Sequence, residues 1–427
     1  GSVIGLLIPL RPEVSEQENR KLTEFPDFSF TALLNGDYLN GISTWYADTF
    51  PFRDTLMAGS QKIKSMYGLQ KTQIIGGGDK VADEIPQIPS DSQPAAEHTT
   101  TVNPDSESES SAEKTTVPVP EGGSAIEEAI RQQIQDGLYI HNGAAYSMFY
   151  FNKTASEKYA AAMTHAADAL KDRTNVYSIL IPDSSGALLD DATIQQMGCS
   201  NQKQAIDYYY YQMGSQVKTV PVFDALTAHK QEYIYFRTDH HWTQLGAYYA
   251  YQEWAKVKGV ESHDKSTFQT KSYSGFLGSY YQSSGSAELK ANADTVETWI
   301  PNDTNEMSFT MTDGTTYDWP IINDVSDYKK SQLYSCFIAS DNPYSVIQNP
   351  KIKDGSTCVV VKESYGNAFV PWLVDHYQTI YILDFRYYND NIIQFTKDNK
   401  ATDLIFINSI TIAGSEKVAE RIAGLVQ

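Results

Sequence analysis

Cys358-Val359-Val360-Val361-Lys362-Glu363-Ser364-Tyr365-Gly366-Asn367-Ala368 opens as an unbroken apolar run and ends in residues that start a helix. A strand that is apolar at successive positions has both faces covered, the situation of parallel strands in α/β proteins. The alternation continues outward: strand Thr357 to Val361, helix Gly366 to His376, strand Thr379 to Asp384, helix Asn389 to Asp398, strand Leu404 to Asn408, helix Ser415 to Leu425. Upstream, strand Gly137 to Ile140, an Ala-rich amphipathic helix Ser156 to Arg173, strand Val176 to Ile181, helix Gln204 to Met213 and strand Val217 to Val222 repeat the pattern. This is βαβ grammar, and it predicts a doubly wound parallel sheet with functional residues at the carboxyl ends of its strands.

The chain has 427 residues, enough for two domains of roughly 100 to 200 residues. The periodic segments on either side of its low-complexity stretch nonetheless read as parts of one enlarged domain. That stretch, 84–124, contains Ser-Glu-Ser-Glu-Ser-Ser and Val-Pro-Val-Pro-Glu-Gly-Gly with almost nothing large to bury, and it is expected to be a disordered surface insertion. Before it, 15–83 carries helical signals, among them Trp45, Tyr46, Phe50, Phe52 and Leu56 at spacings that share a face. About 267–335 lacks helical periodicity and reads as an irregular β-rich insertion beside the site. Residues 125–427 otherwise form the expected catalytic domain.

With 33 Lys and Arg against 53 Asp and Glu, the net charge of -20 repels phosphate backbones and argues against nucleic acid as a partner. The 29 tyrosines supply flat faces and hydroxyls suited to sugar rings as well as to a core. No run approaches the roughly 20 apolar residues that span a bilayer. After Gly1-Ser2, Val3-Ile4-Gly5-Leu6-Leu7-Ile8-Pro9-Leu10 resembles the tail of a leader or anchor, so 1–14 is expected to be its remnant, with an ordinary buried terminal strand as the plain alternative. Cys199, Cys336 and Cys358 show no CxxC spacing, which indicates neither a zinc site nor a disulfide framework and allows at most one bridge. Few cysteines with a lost anchor fit the outer surface of a Gram-positive bacterium.

Two constellations carry chemistry. Tyr235-Phe236-Arg237-Thr238-Asp239-His240-His241-Trp242-Thr243 ends an apolar run and opens a helix. A carboxylate two residues before a histidine can accept from one ring nitrogen and leave the other to take a proton. The same residues could instead ligate a metal, although no third ligand with suitable spacing is evident, or cap and pack. In the second, Ser364 sits where strand passes into helix, a placement that exposes a hydroxyl and aims the first helical N–H groups, those of Tyr365 and Gly366, at an oxyanion. An N-cap serine is the plain alternative. Asn342, on a turn, offers a second oxyanion donor or a turn former, and Arg386 a substrate contact or a paired structural arginine.

Together these motifs resemble the DHHW proteins of Firmicutes, named for Asp239-His240-His241-Trp242 and similar to the alginate O-acetyltransferases AlgJ and AlgX. The resemblance extends through Glu18 to Leu22, Phe25-Pro26, Asp48 to Asp54, Glu363-Ser364-Tyr365, His376-Tyr377 and Asp384 to Tyr388. It implies an SGNH-hydrolase-like fold, circularly permuted so that Asp-x-His precedes the serine. It also implies Ser364 as nucleophile, His241 as general base and Asp239 as its orienting carboxylate, with His240 at the unassigned x position. Lys362-Glu363-Ser364 departs from the Gly-Asp-Ser usual around an SGNH nucleophile. The implied activity is O-acetylation of a cell-surface or exported polysaccharide, with an MBOAT-type membrane protein delivering the acetyl group and no cofactor. The same residues would serve an acetylesterase, and a glycan-binding protein on a degenerate scaffold is the non-catalytic alternative.

Overall fold

A computed structural model describes residues 137–427 without a break, together with 72–76, 82–89, 126 and short stretches between 14 and 49. All of the leader at 1–14 but its last residue, most of the helical part at 15–83 and most of the insertion at 84–124 lie outside the described residues. Within that insertion, Ile85 and Ile88 pack against a hydrophobic core cluster.

Strands β1 (Thr72–Gly76), β2 (Gly137–His141) and β3 (Ala144–Ser147) form a small antiparallel sheet. Then come α1 (Lys153–Leu170), β4 (Asn175–Ile181), α2 (Gln202–Gln212), β5 (Val217–Thr219) and α3 (Gln244–Lys258). Next are β6 (Gln269–Phe276), β7 (Asp294–Ile300), β8 (Glu306–Thr310), β9 (Thr316–Pro320) and β10 (Tyr344–Gln348). The chain closes with β11 (Thr357–Lys362), β12 (Thr379–Asp384), α4 (Ile392–Asp398), β13 (Asp403–Ser409) and α5 (Glu416–Leu425).

The main sheet has eight strands in the order β9-β8-β10-β12-β11-β13-β4-β5. The five from β12 to β5 are parallel, as the apolar runs predict, and β10, β8 and β9 extend them antiparallel. The sheet is therefore mixed rather than wholly parallel. Read cyclically from β11, the parallel strands follow the order 2-1-3-4-5 of flavodoxin-like sheets. Their switch point lies between β11 and β13, where two crossovers leave in opposite directions, the place at which sheets of this kind open a crevice at their carboxyl ends.

Every residue of β11 and β13 is buried. Side chains alternate between faces: Val359, Val361, Leu404 and Phe406 join α1, α2 and α5 in one cluster, and Cys358, Val360, Ile405 and Ile407 join α3 in the other. Two apolar layers with a strand between them explain why these runs lack the period of two found in half-buried strands. α1 starts where the Asn152 side chain accepts from Ala155 N at 2.9 Å, and α3 starts on Thr243 and stops at Gly259, whose φ of 80° suits a residue without Cβ. The helix expected over Gly366 to His376 is one α turn, Gly366–Phe369, that tightens into a 3-10 helix over Val370–His376; Pro371 brings no N–H to continue the α pattern. The region read as a β-rich insertion divides between the β6–β7 hairpin and two strands of the main sheet.

Candidate active site

Ser364 follows β11 by two residues and so stands at the switch-point crevice. The loop carrying Asp239, His240 and His241 faces it, pinched by a bridge between Tyr235 and Trp242 and by Phe236 N donating to His241 O at 3.2 Å. The two parts are tied reciprocally. Trp242 Nε1 donates to Tyr365 O at 2.9 Å, and the Tyr365 hydroxyl donates to His240 O.

Across this junction His241 Nδ1 lies 2.6 Å from Asp239 Oδ1, and His241 Nε2 lies 2.7 Å from Ser364 Oγ. Asp239 Oδ1 also accepts from His241 N at 3.0 Å, and Oδ2 accepts from Ser279 N at 2.7 Å. Burial alone would push the Asp239 carboxyl up, but the charges of the neighbouring His241 and His240 rings and these N–H bonds hold it well below the usual carboxylate range. An ionised Asp239 accepts the Nδ1 proton of His241, which leaves the Nε2 lone pair for the serine hydroxyl. The Tyr334 ring lies flat on His241 at 4.0 Å between centroids and 10° between planes, and its hydroxyl donates to Ser364 O at 2.9 Å.

His240 sits in the same cluster, 3.7 Å from His241 between ring centroids, with Nδ1 2.7 Å from Ser279 Oγ. Burial, and then the charge of His241, lower it to about 3, so it is neutral at physiological pH. One ligand atom each from Asp239, His240 and His241 can be chosen within 4.8 Å of one another. Both His241 nitrogens and His240 Nδ1 are already hydrogen-bonded, so these atoms do not form an open ligand set.

One expectation changes, and the structure bears on two that were left open. Tyr365 and Gly366 do not aim their N–H groups at the crevice: Tyr365 N donates to Glu363 Oε2 at 2.8 Å and Gly366 N to Glu363 O at 2.9 Å. Gly366 has a steric duty instead, since a Cβ there would stand 2.5 Å from Lys362 Cβ. Arg386 is a paired arginine; its guanidinium grips Asp384 at 2.8 and 2.6 Å and Asp341 at 2.8 Å. Asn342 is buried with Nδ2 donating to Ala339 O at 2.8 Å and Oδ1 without a partner among the described residues. The three cysteines are free.

A model described as DHHW protein matches residues 18–114 and 95–383. The chain belongs to the DHHW family. Among curated proteins, no sequence matches it significantly. Among solved structures it is similar to a DHHW family protein from Eubacterium siraeum, with 28% identity over 68% of this chain and 95% of that one and a TM-score of 0.61. Bacillus cereus PatB1 shares the fold at 20% identity over 66% of this chain and 98% of that one, with a TM-score of 0.56. The O-acetyltransferase domain of Pseudomonas putida AlgJ is more distant, at 11% identity over 67% of this chain and 98% of that one and a TM-score of 0.35.

Several residues of this DHHW protein's site come from the region read as an insertion. Gly278 and Ser279 lie against Asp239. Asp294, at the head of β7, accepts from Arg237 N at 3.0 Å, Thr238 N at 2.7 Å and Thr238 Oγ1 at 2.6 Å, and so fixes the chain just before Asp239. None of these positions carries a local sequence signal, because their partners lie 39 or more residues away. Glu363, the acidic residue before the serine, is buried and accepts from Ser409 N at 2.9 Å as well as from Tyr365 N; burial pushes its carboxyl up despite those bonds.

Asp183, just past β4, was also missed. It is buried and accepts from the Thr411 hydroxyl. Burial, opposed by that bond and reinforced by Glu363, pushes it up to about 7. An unfolded aspartate titrates near 3.9, so between about 4 and 7 the folded protein holds the extra proton and loses stability as pH rises. Asp183→Asn removes this slope. Its stability relative to the parent is expected to increase by up to about 4 kcal/mol from pH 4 to pH 8, measured from urea midpoints. A pH-independent difference would remove Asp183 as the titrating group.

Proposed function

We propose that this DHHW protein is an O-acetyltransferase that acts on a cell-surface or exported polysaccharide, with Ser364, His241 and Asp239 as its catalytic residues. The observation that carries the reading is the continuous hydrogen-bonded chain from Asp239 through His241 to Ser364. The 2-1-3-4-5 order from β11 supports an SGNH-hydrolase-like sheet, circularly permuted, with the base-bearing loop ahead of the nucleophile in the chain. Bacillus cereus PatB1, which shares the fold, has been solved with a sulfonyl adduct.

On this reading His241 Nε2 takes the Ser364 proton as Oγ attacks the acetyl carbonyl of a donor ester. The tetrahedral oxyanion is met by the Ser364 N–H and the Asn342 amide. Its collapse expels the donor alkoxide, which leaves with the proton from His241, and acetyl-Ser364 remains. A sugar hydroxyl then gives its proton to His241, attacks the acetyl carbon and releases Ser364 Oγ, which recovers that proton. Ser364 is only 9% exposed, which favours an acyl group as short as acetyl. The protein would work outside the cytoplasmic membrane and receive acetyl groups from an MBOAT-type partner. No helix among the described residues is long and apolar enough to cross a membrane.

The test is mass spectrometry after incubation with 4-nitrophenyl acetate. The expected product is one acetyl group on Ser364, absent in Ser364→Ala, that passes to an added glycan. An adduct released only to water would make the protein an acetylesterase. Well-folded protein with neither adduct nor turnover would leave glycan binding as its role.

A further inference from the structure

Ile338, Ala339 and Ser340 all have left-handed backbone angles, with φ of 44°, 55° and 66°. L-residues visit this region singly, and a β-branched residue there is an outlier, so three in a row require strong restraint from the surroundings. Part of the restraint is backbone bonding: Ile338 N donates to Ile321 O at 2.7 Å and Ser340 N to Phe337 O at 2.8 Å. The rest converges on the next residue. Asp341 Oδ1 accepts from Lys362 Nζ at 2.9 Å and from Asn367 Nδ2 at 3.0 Å, and pairs with Arg386 at 2.8 Å.

Lys362 is the last residue of β11, two before Ser364, and its side chain is 1% exposed. Its ammonium also donates to Asp384 Oδ2 at 2.8 Å, so the buried Asp384 and the partly exposed Asp341 are balanced by two buried cations. Arg386 alone would leave one negative charge uncompensated in the interior, which is costly. This explains why a long cationic side chain stands where a small residue is usual. Asn342, next along the turn, has its amide held from one side only, by the bond to Ala339 O, so the turn sets its orientation.

We propose that Lys362 is a positioning residue: through Asp341 it locks the left-handed turn to the strand that carries the nucleophile, and thereby fixes the Asn342 amide as an oxyanion donor. The proposal rests on the acyl-transfer reading above. Oxyanion stabilisation is realised only in the transition state, so its loss lowers kcat and leaves KM in place.

The experiment compares Lys362→Met with the double variant Lys362→Met/Asp341→Asn, which removes one cation and one anion and leaves Arg386 paired with Asp384. Measured quantities are the thermal midpoint, kcat and KM for 4-nitrophenyl acetate, and amide hydrogen exchange over 338–343. Lys362→Met is expected to lose stability and, where folded, about 100-fold in kcat. The double variant is expected to regain most of the thermal midpoint and to keep the low kcat with KM within about twofold and exchange raised over 338–343. Recovery of kcat along with stability, or unchanged exchange in both variants, overturns the proposal. A parent protein inert toward the ester defeats the acyl-transfer reading and the catalytic part of this one, while exchange still decides whether Lys362 holds the turn.

Discussion

Asp239→Asn is expected to lower kcat for ester turnover by about 10,000-fold in a protein that still folds. The carboxylate accepts from His241 N and His241 Nδ1 on one oxygen and from Ser279 N on the other, and in the proposed mechanism its charge would also stabilise the imidazolium formed as Ser364 is deprotonated. A carboxamide cannot do all of these. In one orientation its NH2 group opposes the two His241 donors, and in the other it opposes the Ser279 N–H; in both the negative charge is gone. The imidazole then loses its tautomer, its orientation or its counter-charge. Circular dichroism and the thermal midpoint establish folding, and 4-nitrophenyl acetate kinetics establish the rate. A folded variant within tenfold of the parent would remove Asp239 from the mechanism.

Gly278→Ala is expected to cost about 100-fold or more in kcat/KM without touching any reacting atom. Gly278 stands so close to Asp239 that a Cβ would overlap its Cβ, Cγ and Oδ2. Its φ is ordinary, so the demand for glycine is one of space and not of backbone conformation. Gly278 N is also held by Thr238 Oγ1 at 3.1 Å, and Thr238 is in turn held by Asp294. The segment therefore has no free direction in which to retreat, and the carboxylate must move instead. Asp239→Gly in the Gly278→Ala background removes all three overlapping atoms and should restore stability while leaving the rate low. An alanine variant with parental kinetics would show that Asp239 has slack the structure does not display.

Much of this arrangement is legible in the chain. β4, β11, β12 and β13 are readable because helices or strands cover both faces and force continuous apolar runs. Ser364 and the Asp239 to Trp242 loop are readable because each marks a junction between a strand-like run and a helix. What escapes the sequence is whatever depends on distant pairing. Asp294 meets Thr238 across 56 residues, Ser279 meets Asp239 across 40, and Tyr334 meets Ser364 across 30, and no local period records such meetings. The expected use of the Tyr365 and Gly366 N–H groups fails for a local reason: Glu363 immediately precedes the serine, and its carboxylate and carbonyl turn back to take both donors.

The order of strands in the sheet also sets a timetable for synthesis. β4 ends at Ile181, yet the neighbour on its inner edge, β13, begins only at Asp403. At roughly 5 to 20 residues per second, a ribosome needs about 10 to 45 s to make the intervening chain. Through that interval β4 has an open, strongly apolar inner edge, and His241, once made, waits 123 residues for Ser364. The last central strand to emerge thus joins β4 to the strand that leads into Ser364 and closes the sheet late, and a chain cut short before residue 364 would retain the motif for which the family is named with no serine beside it.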